Sequence, residues 1–496
     1  MRLPLALALL SLVVGGCVTP ASTQTPAATV ADLGERLMAF DAAGLALPVP
    51  DLLKGGLGVT LGLLGERGGE PNVGVTSSGA VFMTANHNTM RSTDHGATWE
   101  IVFNLSEELP QYNCPDGTPA IPVAGCPRLT RSSDPMLWVD PVTDRVFTDH
   151  MTGLYCSNMI YSDDEGDSWT MKPMTCGLPV NDHQKVATGM GYGPGAPPAG
   201  MNPAYPNPVY YCYNKLLATQ CAVSFDGGLT FPIDRTVASG ALGDPCGGIN
   251  GHPASGPDGT MFVPINEGCP TAVVGVSEDS GLTWSVKQAP FDVGAEEIDP
   301  EITVTPDGTA YMLWRGVDHL QYLARSTDKF DTWEGPWQVS PKGVTSTVFA
   351  GLTSVVDGKV GFAFLGTRDT DEAPSDAPNG TRWHLFTGVS LDAASPSPTF
   401  VVEQASPDAD PVQIGCVWLG GGANPCRNML DFIDMAADSE GRFYVAYTEG
   451  CISAAQHPDG ADAAGEIDCA NNPAAKDEES RGRHGAFAVS APLLVG

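Results

Sequence analysis

Short runs of apolar and β-branched residues, separated by turns, recur along most of the chain. In each unit an apolar stretch is followed by a turn and then by a second β-rich stretch. Most of the turns carry Gly or Asp, as in Pro306-Asp307-Gly308. This pattern predicts paired short strands rather than helices. The seven units cover residues 73–85, 136–147, 186–213, 253–265, 302–314, 352–365 and 432–447.

A second repeat, Ser-x-Asp-x-Gly-x-Thr/Ser-Trp, follows most of these units. Complete copies begin at Ser92, Ser162 and Ser277. The copy at Ser224 has Phe in place of Trp, and the copy at Ser326 lacks the Gly. A sixth copy, Ser390-Leu391-Asp392, keeps only the first part of the motif. The first residues of successive copies lie 70, 62, 53, 49 and 64 positions apart, which is the scale of one propeller blade.

The repeated motif predicts a hairpin turn. Ser and Asp side chains accept hydrogen bonds from backbone N–H groups across a turn, and Gly supplies a positive φ. The Trp is expected to pack between neighbouring sheets. We therefore interpret the carboxylates of the motif, such as those of Asp94 and Asp164, as structural and not catalytic.

Together the two repeats predict an all-β fold, a β-propeller of four-stranded blades, with seven blades favoured and six as the runner-up. The last unit ends near Ser490 without a clear fourth strand. Residues 57–64 are apolar and could supply that strand from the N-terminal side, which would close the ring.

The N-terminus has the pattern of an export signal. Arg2 precedes an apolar run over residues 3–14 that is too short to span a bilayer. The small residues before Cys17 resemble the bacterial lipobox, in which the Cys is lipidated after cleavage. The alternative is an ordinary secretory signal that contains a Cys. The predicted division is a signal peptide over 1–16, a lipidated Cys17 with a flexible tether over 17–56, and the propeller over 57–490.

A lipidated Cys17 would make the chain an exported bacterial lipoprotein of the cell envelope. Val18 mildly favours the outer membrane or cell surface, since Asp at that position marks inner-membrane retention in many lipoproteins. We expect the lipid to be the only membrane contact, and the protein to be a monomer.

Charge and composition exclude several function classes. The chain has 25 Lys and Arg against 58 Asp and Glu, a net charge of −33, so a nucleic-acid site or a polybasic membrane surface is not expected. With 42% hydrophobic residues, the chain can bury a sizeable core.

The cysteines fit an oxidising compartment. Twelve remain besides Cys17, an even number that fall as close neighbours in sequence. The predicted disulfides are Cys114–Cys126, Cys156–Cys176, Cys212–Cys221, Cys246–Cys269, Cys416–Cys426 and Cys451–Cys469. Metal ligation is the alternative, but the chain has no CxxC or HxxxH spacing, so we expect no metal site and no cofactor. Ca²⁺ in an acidic mouth is a weaker possibility, because no DxDxDG loop occurs.

The repeated motif resembles the Asp box of sialidase-like BNR propellers, over roughly residues 57–490. The resemblance implies a functional site on the face opposite the Asp boxes, where most of the cysteines also fall. A sialidase would use three Arg for the sugar carboxylate, a Tyr–Glu nucleophile and an Asp acid/base.

Several residues are similar to parts of that pattern. Asp299 or Glu301 opens a first strand and Arg315 ends the second, so we expect them to face one another at the mouth. Asp134 resembles a family Asp that contacts substrate, and Arg368 is expected to grip an acidic sugar with Arg315. For Asp299, Glu301 and Arg315 a surface ion pair is the alternative, and for Asp134 a loop cap.

Three departures from the pattern are evident. No Arg opens the first blade, residues 85–89 contain no Asp, and Phe432 stands where the Tyr is expected, with Asp431 as the other occupant if the register slips. The candidate catalytic residues are therefore Asp299, Glu301 and Asp431, and little or no sialoside hydrolysis is expected.

The predicted function is a surface-anchored, sialidase-like propeller that recognises or hydrolyses glycans. The alternative is a non-catalytic propeller that binds a protein or another cell-envelope partner.

Overall fold

The computed structural model describes residues 24–25, 36–105, 134–152, 156–176, 181–265, 268–296, 299–421, 424, 426–450 and 484–494. Strands dominate this part of the chain, and three short 3-10 helices lie at Asp51–Leu53, Gly240–Leu242 and Pro374–Asp376. The all-β class expected from the sequence is confirmed.

The strands are numbered in chain order. They are β1 (Gln24–Thr25), β2 (Leu37–Asp41), β3 (Ala46–Leu47), β4 (Thr60–Arg67), β5 (Val73–Val75), β6 (Val81–Ala85), β7 (Asn88–Ser92), β8 (Glu100–Asn104), β9 (Pro135–Val139), β10 (Val146–Thr152), β11 (Cys156–Ser162), β12 (Thr170–Cys176), β13 (Asp182–Thr188), β14 (Val209–Asn214), β15 (Ala218–Ser224) and β16 (Ile233–Ser239). The second half contains β17 (Ala254–Ser255), β18 (Met261–Ile265), β19 (Val273–Ser277), β20 (Ser285–Gln288), β21 (Glu301–Val304), β22 (Ala310–Arg315), β23 (Gln321–Ser326), β24 (Glu334–Gln338), β25 (Ser346–Val356), β26 (Lys359–Thr367), β27 (Arg382–Ser390), β28 (Thr399–Gln404), β29 (Gln413–Ile414), β30 (Asp434–Ala437), β31 (Phe443–Glu449) and β32 (His484–Val489).

These strands form antiparallel sheets that follow the chain. Sheets 1 to 5 are β5–β8, β9–β12, β13–β16, β17–β20 and β21–β24, sheet 6 is β25–β28 with β2, β3 and β29, and sheet 7 is β30, β31, β32, β4 and β1. The first strand of each sheet contacts the first strand of the next, and sheet 7 contacts sheet 1 in the same way. The sheets are therefore arranged as a propeller, with these seven inner strands (β5, β9, β13, β17, β21, β25 and β30) around its axis.

The ring closes through the N-terminal side of the chain. Strand β4 pairs antiparallel with β32, with Thr60 opposite Val489 and Leu63 opposite Ala486. The expectation that residues near 57–64 complete the last unit is thus confirmed, with the strand shifted to Thr60–Arg67.

The structure has fewer regular four-stranded blades than the seven that the sequence favours. Five sheets have four strands, and sheet 7 has four with one short strand added at its edge. Sheet 6 is larger, with seven strands, because the N-terminal hairpin β2–β3 and the short strand β29 are added to its four consecutive strands. The count of regular blades is therefore six, the runner-up expectation.

That N-terminal hairpin corrects part of the expected tether. Residues Leu37–Asp41 pair with β28, so that Leu37 lies opposite Glu403 and Asp41 opposite Thr399. Leu53 and Leu57 are buried. The flexible tether predicted over 17–56 therefore does not extend to these residues, while Cys17 and the signal peptide lie outside the described residues.

The repeated turns have the predicted hydrogen bonds. Asp94 accepts from the Thr98 backbone N–H at 2.8 Å and from the Thr98 hydroxyl at 2.7 Å, and the Gly96 N–H donates to Ser92 Oγ at 2.8 Å. Gly96 has a φ of 90°, a conformation that Gly adopts without strain. Trp99 packs on Phe487 of sheet 7, with ring centroids 5.2 Å apart. These turns therefore link neighbouring sheets, as expected.

Three of the predicted disulfides are present among the described residues: Cys212–Cys221, Cys246–Cys269 and Cys416–Cys426. Cys156 and Cys176 lie opposite each other in the backbone pairing of β11 and β12. The cysteines at 114, 126, 451 and 469 lie outside the described residues, so these pairs stay predictions.

Among the helices described, none is long and apolar enough to cross a membrane.

Candidate functional site

Polar side chains converge where the inner strands begin. Because every inner strand runs in the same direction from that end, residues at or just before the strand starts meet around the axis. We call this group the axial polar cluster. Its members are Glu70, Asn72, Asp134, His183, Lys185, His252, Asp299, Glu301, Arg427, Asp431, Phe432 and Asp434. Six of the seven sheets contribute to it, and all members except Asp134 and Arg427 are buried.

Asp299 is held by two basic groups of sheet 3. Its Oδ2 lies 2.9 Å from Lys185 Nζ and 3.2 Å from His183 Nε2, and neither Lys185 nor Asp299 is exposed. Burial opposes ionisation of this carboxyl, but the charges of Lys185 and His183 outweigh it and lower the pKa of Asp299. Asp299, a candidate catalytic residue from the sequence, is therefore an ionised carboxylate at the axis.

Glu301 bonds a histidine of the neighbouring sheet. His252 Nδ1 lies 2.6 Å from Glu301 Oε1, and His252 Nε2 lies 3.1 Å from Asn72 Oδ1. Burial and the nearby Lys185 lower the pKa of His252 well below its ordinary value, so the imidazole is neutral. Glu301 Oε1 and Asn72 Oδ1 are both acceptors, and a neutral imidazole has a single N–H, so His252 donates to one of them.

Asp434 lies next to this pair. Its two carboxylate oxygens accept from the backbone N–H groups of Val73 and Met435 at 2.9 and 2.7 Å. Burial nevertheless raises the pKa of Asp434 to about 7. The ligand atoms of His252, Glu301 and Asp434 lie within 4.8 Å of one another, so among the described residues these three could hold a metal ion.

A second group of carboxyls lies beside them. Burial raises the pKa of Glu70 well above its ordinary value, the charges of Asp134 and Asp431 raise it further, and Arg427 opposes them. Arg427 Nη2 donates to Asp431 Oδ2. The structure therefore brings Asp134 and Asp431 together with Glu70, a buried carboxyl whose pKa is raised.

Phe432 lies at the centre of the cluster. Lys185 Nζ is 3.3 Å from the centroid of its ring, and the imidazoles of His183 and His252 stand edge-on to it at 5.6 and 5.3 Å. A cation over an aromatic face is electrostatically favourable. The residue expected in place of the family's Tyr is thus at the axis, and its ring has no hydroxyl to act as a nucleophile.

A cavity of about 410 Å³ follows the axis from the cluster along the inner strands. His252, Glu301 and Asp434 line one end, whereas apolar residues such as Trp138 and Leu352 line its wall. A cavity with apolar walls and a few converging polar groups is typical of a binding site.

Arg315 and Arg368 were expected to act together. Arg315 is buried, its Nη2 donates to the Glu296 carbonyl at 3.0 Å, and its Nε and Nη1 have no hydrogen-bond partner among the described residues. Arg368 lines a separate cavity on sheet 6, and Arg315 is not among the described residues that line it. The structure therefore does not bring these two arginines to one cavity.

Sequence reasoning missed Glu70, Lys185 and Asp434 as members of the site. Lys185 carried a usable signal, because it directly precedes the predicted unit that begins at Val186, and a charged residue buried there requires a partner of opposite charge. The predicted unit began one residue later, at 186, and so excluded it.

Several solved structures are similar to this chain. The phage phi92 endosialidase is 11% identical, with 98% of this chain and 72% of that chain covered and a TM-score of 0.44. The intramolecular trans-sialidase from Ruminococcus gnavus is 14% identical, with 88% and 93% covered and a TM-score of 0.34. A protein of unknown function from Dyadobacter fermentans DSM 18053 is 13% identical, with 96% and 100% covered and a TM-score of 0.34. No curated protein sequence matches the chain.

A family model also matches part of the sequence. Residues 212–392 match the BNR repeat-like domain. This segment includes four copies of the repeated turn, those that begin at Ser224, Ser277, Ser326 and Ser390. The resemblance to BNR propellers stated from the sequence is confirmed.

Proposed function

We propose that this β-propeller, of which residues 212–392 match the BNR repeat-like domain, recognises a glycan at the axial polar cluster. The observation that supports this most is the convergence of donors and acceptors from six sheets on one spot beside the axial cavity. A sugar presents hydroxyls in several directions, so its recognition requires hydrogen-bonding groups on several sides. Rigid strands hold these groups in place, which reduces the entropy lost on binding.

An acidic sugar is the proposed ligand class, because of Arg315, which ends β22 at the cluster end of sheet 5, one strand outside the axial polar cluster. Its guanidinium is buried, and two of its nitrogens have no hydrogen bond among the residues described. A buried donor without a partner is costly, and a carboxylate would satisfy two donors at once.

A glycan array with the purified wild-type protein tests this proposal. We expect binding to glycans that contain a uronic or sialic acid and weaker binding to their neutral counterparts. Arg315→Gln should lose that preference, while Arg235→Gln, which removes an exposed arginine of sheet 3, should keep it. If the array gives no binding, the proposal is wrong and a protein or other envelope partner is favoured.

Sialoside hydrolysis is not expected from this site. Phe432 supplies no nucleophile, and residues 85–89 supply no Asp. Loss of a general acid alone typically lowers a rate by about 10²–10⁴-fold. A fluorogenic sialoside assay should therefore stay at background, and robust release of sialic acid would contradict the proposed role of Phe432.

One observation favours hydrolysis of another glycosidic bond as a second candidate function. In the cluster, burial raises the pKa of Glu70 well above its ordinary value, whereas Lys185 and His183 lower the pKa of Asp299. Environments that separate the pKa values of carboxyl groups in this way characterise acid/base catalysis. Turnover of p-nitrophenyl glycosides that is lost in Asp299→Asn would support hydrolysis, and a panel without turnover would exclude it for the glycosides tested.

We also propose that Cys17 is lipidated and anchors the propeller to the cell envelope, with the outer membrane or cell surface favoured. The lipobox-like sequence before Cys17 supports this. The wild type should incorporate labelled palmitate and Cys17→Ser should not, whereas equal labelling of both would contradict the anchor.

Sheet 6 keeps the core arrangement of the regular blades despite its added strands. Its first four strands are consecutive and antiparallel, as in the regular blades. Its inner strand contacts those of sheets 5 and 7.

A further inference from the structure

A second cavity, of about 380 Å³, lies on sheet 6 away from the axial cavity. We call it the sheet 6 pocket. Its lining includes Arg36, Lys342, Arg368, Arg382 and His384. It lies at the end of the sheet where the axial polar cluster is found, because Arg368 follows β26 and Arg382 begins β27.

The sheet 6 pocket is basic in a strongly acidic protein. Four cationic side chains line it, although the whole chain has 25 Lys and Arg against 58 Asp and Glu. Only two carboxylates line it, those of Asp369 and Asp408. Burial lowers the pKa of His384 to about 4, so this histidine adds no charge at neutral pH. Cations therefore exceed anions by two.

The two carboxylates are already occupied. Asp369 accepts from the backbone N–H, Nε and Nη2 of Arg382, at 3.0, 2.9 and 2.9 Å. Asp408 accepts from Gln404 Nε2 at 2.7 Å. Asp369 therefore holds Arg382 in place, and Asp408 holds the side chain of Gln404.

The arginines are fixed before any ligand arrives. Arg36 donates through Nε and Nη2 to the carbonyls of Gln404 and Ala405, at 2.6 to 2.9 Å. Arg368 donates to the Gln404 side chain and lies 5.2 Å over the Phe386 ring. The hydrogen bonds given above for Arg36 and Arg382 use Nε and Nη2 of each guanidinium and do not involve Nη1. Guanidinium groups held in this way lose little entropy when they bind an oxyanion.

We propose that the sheet 6 pocket binds a phosphate monoester or free phosphate. The excess of two positive charges matches a dianion, and fixed guanidinium groups match the geometry of phosphate oxygens. This pocket is distinct from the axial polar cluster, and the proposal does not depend on the ligand of that cluster.

Isothermal titration of the full chain with inorganic phosphate, at low ionic strength and without any glycan, tests the proposal. We expect saturable binding. Lys342→Gln and Arg368→Gln should each weaken it about tenfold or more, since each removes a charged contact. The matched control Arg235→Gln removes the same charge from an exposed site on sheet 3 and should leave the affinity unchanged. Lys342 is exposed, so its variant reports on binding without risk to the fold.

Further titrations identify the source of the phosphate. Tighter binding of glucose 6-phosphate than of inorganic phosphate would assign the pocket to a phosphorylated sugar, and the reverse order would assign it to free phosphate. Sulfate and glucuronate should bind more weakly than either. Absence of saturable phosphate binding, equal weakening by Arg235→Gln, or a preference for glucuronate would overturn the proposal.

Discussion

Lys185 determines much of the charge balance at the axis. It is fully buried, bonds Asp299 at 2.9 Å and covers the face of Phe432. Without this ammonium, the buried Asp299 carboxylate would keep His183 at 3.2 Å and the more distant His252 at 3.9 Å. A buried charge that loses its partner is far more costly than an exposed one.

Lys185→Met is therefore expected to lower the free energy of unfolding by about 3–5 kcal/mol. Urea denaturation measures this change. The control Lys287→Met, which breaks an exposed pair with Asp331, should cost about 1 kcal/mol at most. The double variant Lys185→Met/Asp299→Asn should recover part of the loss. If Lys185→Met lowered the free energy of unfolding by no more than Lys287→Met does, the pairing of Lys185 with Asp299 would be contradicted.

Asp434 makes a pH-dependent contribution to stability. Burial raises its pKa from an ordinary 3.8 to about 7, so between these values the folded state binds this proton more readily than the unfolded state. The contribution of Asp434 therefore falls as the pH rises through this window. We expect the wild type to lose stability relative to Asp434→Asn from about pH 4 to about pH 7. If the free energies of unfolding of the two proteins changed with pH in the same way across this range, the raised pKa of Asp434 would be contradicted.

At the residue scale, the sequence predicted part of the site. Asp134, Asp299 and Glu301 could be found because each lies at the start of an inner strand, where the family pattern places functional groups. Glu70 could not, because it stands near the start of the first blade, where the family pattern has an Arg. Hydrogen bonds between distant strands, such as that of His252 to Asn72, depend on the closed ring and leave no trace in local sequence.

The repeated turn is the element that the sequence specified most completely. Ser92, Asp94 and Gly96 make the predicted bonds, and the worn copy at Ser390 keeps a bond from its hydroxyl to Asp392 at 3.2 Å. Where the Gly is missing, Phe330 takes a φ of 63° and its N–H still reaches Ser326 Oγ at 2.8 Å. Side-chain bonds therefore hold this backbone conformation even without the preferred residue.

Asp94→Ala should consequently destabilise the protein by about 1–3 kcal/mol, because backbone and hydroxyl donors of Thr98 lose their acceptor. Thermal and urea denaturation both report this change. Asp51→Ala is a suitable control, since Asp51 is exposed and pairs only with the exposed Lys54, and its effect should stay within about 0.5 kcal/mol. Equal effects of the two substitutions would show that the turn bonds add no stability.

Other elements were harder to predict. Strand β2 lies in a segment that composition marked as part of a tether, and only its pairing with β28 reveals it. Sheet 6 departs from four strands for this reason, so the number of regular blades could not be inferred from the repeat alone.

At the scale of the whole molecule, the fold depends on the closure of the ring in sheet 7. Strand β4 joins the N-terminal side of the chain to β32, and this pairing covers the side of β32 that would otherwise be an open strand edge of sheet 7. An open edge of this kind invites association with another chain. Deletion of residues 1–67 should therefore give aggregated protein in size-exclusion chromatography, whereas deletion of residues 1–23 should leave a soluble monomer. If the protein without residues 1–67 were a monomer that unfolds cooperatively, the role of β4 in closing the ring would be contradicted.

The measurement that tests the central claim most directly is the affinity of Glu301→Gln for the glycan that binds best on the array. Glu301 belongs to the axial polar cluster and lines the axial cavity. We predict a loss of about tenfold or more relative to the wild type, because its charged hydrogen bond to His252 orders the site. Glu334→Gln removes the same charge at a half-exposed position paired with Arg325 and should keep the wild-type affinity. An unchanged affinity in Glu301→Gln, with the fold intact, would contradict the assignment of the ligand site to the axis.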